Sequence, residues 1–214
     1  MKTMKQINIQ HYKTKIGELI LGSFDNKLCM LDFRYRRMRA TVDNRIKKGL
    51  DSEFIEQDDK LLVETRKQLD EYLIGDREEF DFPLLMVGTE FQKSVWNALI
   101  KVPYGTTSTY LQLAKNIHNE KAVRAVANAN GANSIGIIIP CHRIIGSNGE
   151  LVGYGGGLPV KKRLLKLEQN NTALTDSEKY NFIGNNNTKY DGVFYNTKEE
   201  AVGNGYRACK VCKP

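Results

Sequence analysis

Apolar and polar residues alternate over the first part of the chain as they do in strands. The segments "INIQHYKT", "GELILGSF" and "KLCMLDF" each carry the two-residue period, and the last two are separated by Asp25-Asn26, a pair suited to a tight turn. An antiparallel hairpin or meander is expected. Residues 34–58 are charged and show no period, so they read as irregular. "DDKLLVETRKQLDEYLIG" then places Leu61, Leu62, Thr65, Leu69, Tyr72 and Leu73 at helical spacing and closes on Gly75. Beyond Met86 the pattern turns helical. "TEFQKSVWNALIKV" gathers Phe91, Val95, Trp96, Leu99 and Ile100 on one face behind a Thr89 cap, and "TSTYLQLAKNIH" and "EKAVRAVANAN" follow as two short helices with helix-turn-helix spacing. "SIGIIIP" reads as a short buried strand that brings Cys141 to its end behind Pro140. After it come a glycine-rich loop, "GSNGELVGYGGG", and a last helix, "LPVKKRLLKLEQ", with Pro159 in its first turn and Leu164, Leu165 and Leu167 inward. From Asn170 the chain is polar and asparagine-rich. The expected class is α+β: a small α/β domain over 1–86, a helical domain with a helix-turn-helix over 87–169, and a linker and tail over 170–214.

Composition narrows the function classes. No apolar run approaches a membrane span, and the opening "MKTMKQINIQHYK" lacks the apolar stretch of a signal peptide, so the cytoplasm is expected and a membrane is not. The four cysteines, Cys29, Cys141, Cys209 and Cys212, are too few and too unevenly spread for a disulfide framework, and each is read as a thiol. The net charge of +7 is localised. From Met1 to Gly88, 16 basic residues cancel 16 acidic ones, whereas from Thr89 to Gln169 ten basic residues, Arg124, Arg143 and Lys161 among them, stand against four acidic. An excess confined to one segment favours a surface that faces a polyanion over a general solvated one.

The second helix of the pair qualifies that surface. Ala122, Val123, Ala125, Val126, Ala127 and Ala129 are small, and Arg124 is its one long side chain after Lys121. Helices that read the major groove carry several long donors. A slim face with a single arginine suits close approach to a duplex and insertion of that arginine. An alanine-rich core helix with one exposed arginine has the same pattern, and the spacing leaves both open.

The chemistry concentrates in "IIIPCHRII", residues 137–145. A lone cysteine near a strand end is ordinarily a small core hydrophobe, but here the neighbours matter. Adjacent residues of an extended chain point to opposite sides, so His142 can serve Cys141 as a base only through a bend or a bridging water. The thiolate is the nucleophile, and a base, a helix N-terminus or a cation such as Arg143 would populate it at neutral pH. Glu168, near the C-terminal end of the last helix, opposes the helix dipole and needs either a partner or solvent. Folded back, it accepts from one ring nitrogen of His142 and fixes the tautomer; otherwise it is an ordinary surface glutamate.

"YGTTSTYLQLA", "AVRAVANANGANSIGIIIP", "IPCHRII" and "GYGGGLPVKKRLLKLE" together resemble the O6-alkylguanine-DNA alkyltransferases, the methylated-DNA–protein-cysteine methyltransferases, over Thr14 to Gln169 and most strongly from Phe91 onward. The resemblance implies direct-reversal repair: Cys141 takes the alkyl group from O6 of guanine, and also from O4 of thymine, in double-stranded DNA and is not regenerated. His142 would deprotonate Cys141 through a water, with Glu168 orienting His142. Asn133 matches the asparagine that braces the turn before the cysteine, and Tyr110 the tyrosine that helps protonate the departing base. Arg124 matches the arginine that fills the vacated stack, with Thr109, Ala122 and Ala125 as its neighbours on the DNA-binding face. Tyr154, Gly155 and Gly156 match the loop that walls the base pocket. A bound base reaches a buried thiol only if the nucleotide rotates out of the duplex. No cofactor and no metal are expected, and the protein is expected to be a monomer.

Two features depart from that pattern. Val152 stands where a glycine is common, and the tail ends in Cys209-x-x-Cys212, which resembles the second half of an adaptive-response zinc module without its first half. A structural zinc site needs about four ligands, so the pair is a half-site completed by another chain, a degenerate remnant or a redox-labile pair; Thr197-x-x-Glu200 before it has the form of a capping box. Cys29 reads as core, and His11 and His118 as surface residues. The rival functions are a non-catalytic protein that binds alkylation damage, a class that lacks the cysteine, and an adaptive-response transcription regulator.

Overall fold

The computed structural model describes residues 6–170, all of which fall within one compact unit, Met1–Asp176. The cysteine pair and the proposed capping box of the tail lie outside the described residues. Strands β1 (Gln6–Thr14), β2 (Gly17–Phe24) and β3 (Lys27–Phe33) form the expected meander, with β1–β2 and β2–β3 antiparallel. Asp25 and Asn26 both take positive φ, 51° and 54°, the backbone of a turn whose twist matches that of the strands it joins.

Residues 34–58 are not irregular. They form α1 (Arg39–Leu50) and β4 (Glu53–Glu56), and β4 returns to pair parallel with β1, giving the sheet order β3-β2-β1-β4. The period is weak because α1 buries only Val42 and Ile46, and β4, an edge strand, buries none of its residues fully. α2 (Lys60–Ile74) starts at Asp59, whose carboxylate accepts from the Leu62 amide, and stops at Gly75, where φ is 87°. All six of its expected apolar-face residues are buried, Tyr72 included.

Alternate strand residues feed two cores, as the pleat requires. Ile7, Ile20 and Met30 pack with Val42 and Ile46 of α1, while Leu19, Leu21, Leu28 and Leu31 join Leu69, Trp96, Leu113, Ile139 and Leu164 in one larger cluster. The sheet is therefore continuous, through that cluster, with the helices that follow. α3 (Glu90–Ile100) opens on a complete Thr89–Gln92 capping box and buries Val95, Trp96 and Leu99; Ile100, expected on the same face, stays exposed. α4 (Tyr110–Asn116) and α5 (Val123–Gly131) pack on each other and on α3 as the helix pair predicts. Ala122 is not part of α5: it ends a 3₁₀ turn, Glu120–Ala122, between the two.

The strand expected over "SIGIIIP" does not form. Ile135 alone bridges to Leu31, and the chain then winds back on itself, with Ile139 N donating to Ile135 O at 2.9 Å and Cys141 N to Ile139 O at 2.7 Å. Ile137 is held at φ 70°, a conformation that costs a β-branched residue free energy. A run buried on every side has no period, so apolar composition alone does not tell strand from turn. Cys141–Arg143 is a 3₁₀ turn leading to β6 (Ile144–Ile145), which pairs parallel with β5 (Ser108–Thr109), and α6 (Leu158–Asn170) closes the described chain.

Candidate active site

Asn133 holds the wound segment together. Its Oδ1 accepts from Ile135 N at 3.0 Å, and its Nδ2 donates to Ile139 O at 2.8 Å and reaches Cys141 Sγ at 3.3 Å. One buried amide thus closes the turn and touches the sulfur, and hydrogen bonds of about 1 kcal/mol each offset the strain at Ile137.

Cys141 is 7% exposed. Burial raises its pKa above the ordinary thiol value, and Asp32 adds to the rise, while Asn133, Arg36 and Lys161 pull the other way. The resting group is a thiol. Arg143, the cation expected to activate it, is committed elsewhere: it donates from Nε to Glu168 Oε2 at 2.8 Å, from Nη2 to Glu168 Oε1 at 2.9 Å and from Nη1 to Val102 O at 2.6 Å. The cations that act on the sulfur are Arg36 and Lys161.

Glu168 is the hub of the cluster rather than a surface residue. Its Oε1 also meets His142 Nε2 at 2.8 Å and accepts from the Tyr72 hydroxyl at 2.6 Å, and its Oε2 accepts from Gly105 N at 3.3 Å. Burial opposes its charge, but the contacts with His142 and Arg143 outweigh that and hold the carboxyl down at about 2. Five donors compensate for the unfavourable end of the helix dipole. His142 is wholly buried, burial lowers its pKa despite Glu168, and its Nδ1 has no hydrogen-bond partner. With Nε2 donating to the carboxylate, the neutral ring leaves Nδ1 as an acceptor.

The glycine loop leans on the end of β3. The Tyr154 ring stands edge-on to Phe33 and to His142, at centroid distances of 5.5 and 6.2 Å. A Cβ on Gly156 would come within 2.6 Å of the Phe33 ring, and one on Gly155 within 3.5 Å of the Arg36 guanidinium. Arg36, paired with Asp32 at 2.6 Å, donates to Asn133 O at 2.8 Å and to Gly131 O, and Arg45 donates to Ala132 O at 2.7 Å. The carbonyls at and just beyond the C-terminus of α5 are thereby capped by arginines from residues 36 and 45. Lys161, counted with the basic surface from sequence, is fully buried, and it donates to Ile144 O and to Val152 O, the latter at 2.7 Å. The Val152 contact uses a carbonyl that any residue supplies.

Arg124 and Ala125 are exposed on α5, Thr109 caps α4 by accepting from Gln112 N at 3.1 Å, and the Tyr110 phenol, its pKa raised by burial and by Cys141, lies 3.9 Å from where a Gly153 Cβ would be. Two family models match the chain: "6-O-methylguanine DNA methyltransferase, ribonuclease-like domain" over residues 8–86, and the "DNA binding domain" of the same name over 90–170. A methylated-DNA–protein-cysteine methyltransferase of Methanosarcina mazei is 50% identical over 159 residues, 74% of this chain and 95% of the relative. One from Methanosarcina acetivorans is 43% identical over 157 residues, 73% and 95% of the two. The chain belongs to the methylated-DNA–protein-cysteine methyltransferase family.

The fold agrees with that membership. The crystal structure of Mycobacterium tuberculosis OGT in complex with DNA superposes with a TM-score of 0.68 at 35% identity, covering 80% of this chain and 98% of that one. Within this methyltransferase fold, Cys141, His142, Glu168, Asn133, Tyr110 and Tyr154 converge on one place, whereas Arg124 and Ala125 lie on the exposed side of α5. Tyr72, Gly105, Arg36, Arg45 and Lys161 also build the site and were not found from sequence. The one available signal was charge: Lys161 stands in a run whose apolar neighbours face inward, and Arg36 lies three residues past the end of a buried strand.

Proposed function

We propose that Cys141 accepts the alkyl group from O6 of guanine in double-stranded DNA, as a direct-reversal repair protein that acts once. His142 carries the reading: one ring nitrogen is tied to Glu168, and the other is buried without a partner next to the residue that bears the thiol. The thiol proton passes through a water to His142 Nδ1, and the sulfur attacks the alkyl carbon, forming the S–C bond as the C–O6 bond breaks. The Tyr110 phenol protonates the departing guanine, and the imidazolium restores that proton through solvent. Glu168 pairs the charge gained by His142, and Arg143 holds that carboxylate in place. The thioether carries no leaving group that water displaces, so the protein is consumed.

Because the resting sulfur is a protonated, buried thiol, it stays unreactive until a base fills the site. Burial in the apolar turn thus reserves the sulfur for an alkyl carbon delivered into the site. Residues 87–169 supply the chemistry and 1–86 support it from behind. Arg124, with Thr109, Ala122 and Ala125 around it, enters the duplex as the nucleotide rotates out, and binding rests mainly on phosphate contacts and falls with salt. Among the described residues no helix is long and apolar enough to cross a membrane, and we place the protein's action in the cytoplasm. A duplex carrying labelled O6-methylguanine tests the reading. Label is expected on Cys141 and nowhere else, and Cys141→Ala is expected to abolish transfer while retaining binding; label absent from Cys141 refutes it.

A further inference from the structure

Tyr72 lies on α2, within the ribonuclease-like segment, 96 positions before Glu168, and is fully buried. Its hydroxyl donates to Glu168 Oε1 at 2.6 Å, the oxygen that also meets His142 Nε2 at 2.8 Å and Arg143 Nη2 at 2.9 Å. A carboxylate oxygen offers about two lone pairs, so three donors on one oxygen compete. A phenylalanine would fill the same space, and a buried hydroxyl costs free energy unless it is hydrogen-bonded. The hydroxyl therefore needs a reason beyond packing.

We propose that Tyr72 is a positioning residue of the transfer reaction: its hydroxyl takes up part of the basicity of Glu168 and so keeps His142 neutral, with Nδ1 free to accept the thiol proton. The proposal rests on the relay described under Proposed function. The charged and titratable groups facing the pair are Arg143, bound to both carboxylate oxygens, Lys161 from α6, Tyr104 from the loop before β5, and Tyr154 from the glycine loop. None of these donates a neutral hydrogen bond to Oε1. Burial and then Glu168 push the Tyr72 phenol well above its ordinary value, so it remains a donor across the range in which His142 titrates.

Removing the hydroxyl leaves Oε1 more basic, strengthens its bond with His142 Nε2–H and favours the imidazolium. For Tyr72→Phe the acid limb of the rate profile for transfer from an O6-methylguanine duplex is expected to move up by about one pH unit. Below the limb the rate falls about tenfold, while the plateau is unchanged. In the full-length protein labelled with ¹⁵N-histidine, which has three histidines, the His142 Nε2–H proton of the variant is expected downfield of wild type at neutral pH. A slower rate at every pH, with limb and proton unmoved, overturns the proposal and leaves Tyr72 a packing residue. If Tyr72→Phe does not fold, 3-fluorotyrosine introduced at position 72, a stronger donor, must shift the limb and the proton in the opposite direction, and no shift overturns it. Failure of wild type to alkylate Cys141 is the separate result that removes the relay reading, and the proton shift still reports whether Tyr72 tunes the pair.

Discussion

Arg36 donates to the backbone carbonyl of Asn133 at 2.8 Å, and the side chain of the same asparagine reaches Cys141 Sγ at 3.3 Å. Two contacts thus run from the end of β3 to the sulfur. The guanidinium also pairs with Asp32, binds Gly131 O and lies under Gly155, so one side chain supports the end of α5, the turn before the cysteine and the glycine loop.

Removing Arg36 leaves Asp32 buried with only Arg39 as its cation, at 2.9 Å, and two carbonyls unpaired. Arg36→Met is expected to cost about 3 kcal/mol, the lower end of the range for breaking a buried pair because Arg39 remains. Equilibrium denaturant unfolding measures this, and a loss under about 1 kcal/mol refutes the bracing role.

Glu168 gives stability a defined acid limb. Its folded value of about 2 lies below the ordinary 4.5, so on acidification the unfolded chain takes the proton first. The stabilisation is whole above about pH 5 and is lost as pH falls from 4.5 toward 2. The gap corresponds to about 3 kcal/mol. Glu168→Gln, followed by unfolding at several pH values, is expected to lose this segment of the profile, so that the variant and wild type draw together in acid.

Lys161 acts in the opposite range. Burial lowers it from 10.5 to about 8, so between those values the unfolded chain holds more protons and stability rises with pH. Cys29, raised by burial from 9 to about 12, works against this from about pH 9 upward, because the unfolded thiol ionises first. The upward slope is therefore expected near pH 8 to 9, and Lys161→Met should abolish it whatever its effect on total stability. A slope equal to that of wild type would show that the ammonium is hydrated in the folded chain.

Gly156→Ala drives a methyl into the Phe33 ring and displaces the glycine loop. Misplacement of about 1 Å at a reacting centre costs on the order of a hundredfold in rate. Single-turnover transfer should fall accordingly, and Phe33→Leu in the same chain should recover part of it. A Gly156→Ala protein as fast as wild type would mean that the loop does not shape the base site.

Arg124→Ala separates base rotation from chemistry. Extruding a stacked base costs a few kcal/mol, so transfer from duplex should fall by about ten- to a hundredfold, whereas transfer from an O6-alkylguanine free base should be unchanged. Equal losses on both substrates would place Arg124 in the chemistry instead.

α2, α3 and the helix pair were legible because each buries one face and exposes the other, and that asymmetry writes a period into the chain, whereas β2 and β3, buried on both faces, were legible as short apolar runs set off by the Asp25-Asn26 turn. Caps and turns were legible for a similar reason: Thr89, Gly75 and Asp25-Asn26 act on their own neighbours. α1 and β4 were not, since two buried residues in twelve leave hardly any period.

By itself the sequence determined the class, the helix-turn-helix and the group of residues that bears the chemistry, because "IPCHRII" with its glycine loop is a local pattern. Tertiary structure alone decided that the apolar run before Cys141 winds around Asn133 instead of extending, that Arg143 serves Glu168 rather than the sulfur, and that Tyr72, Arg36 and Lys161 belong to the site. A hydrogen bond between residues 96 positions apart leaves no spacing to read. Burial of a charge is likewise set by the whole surrounding shell, and no short stretch of chain contains that shell.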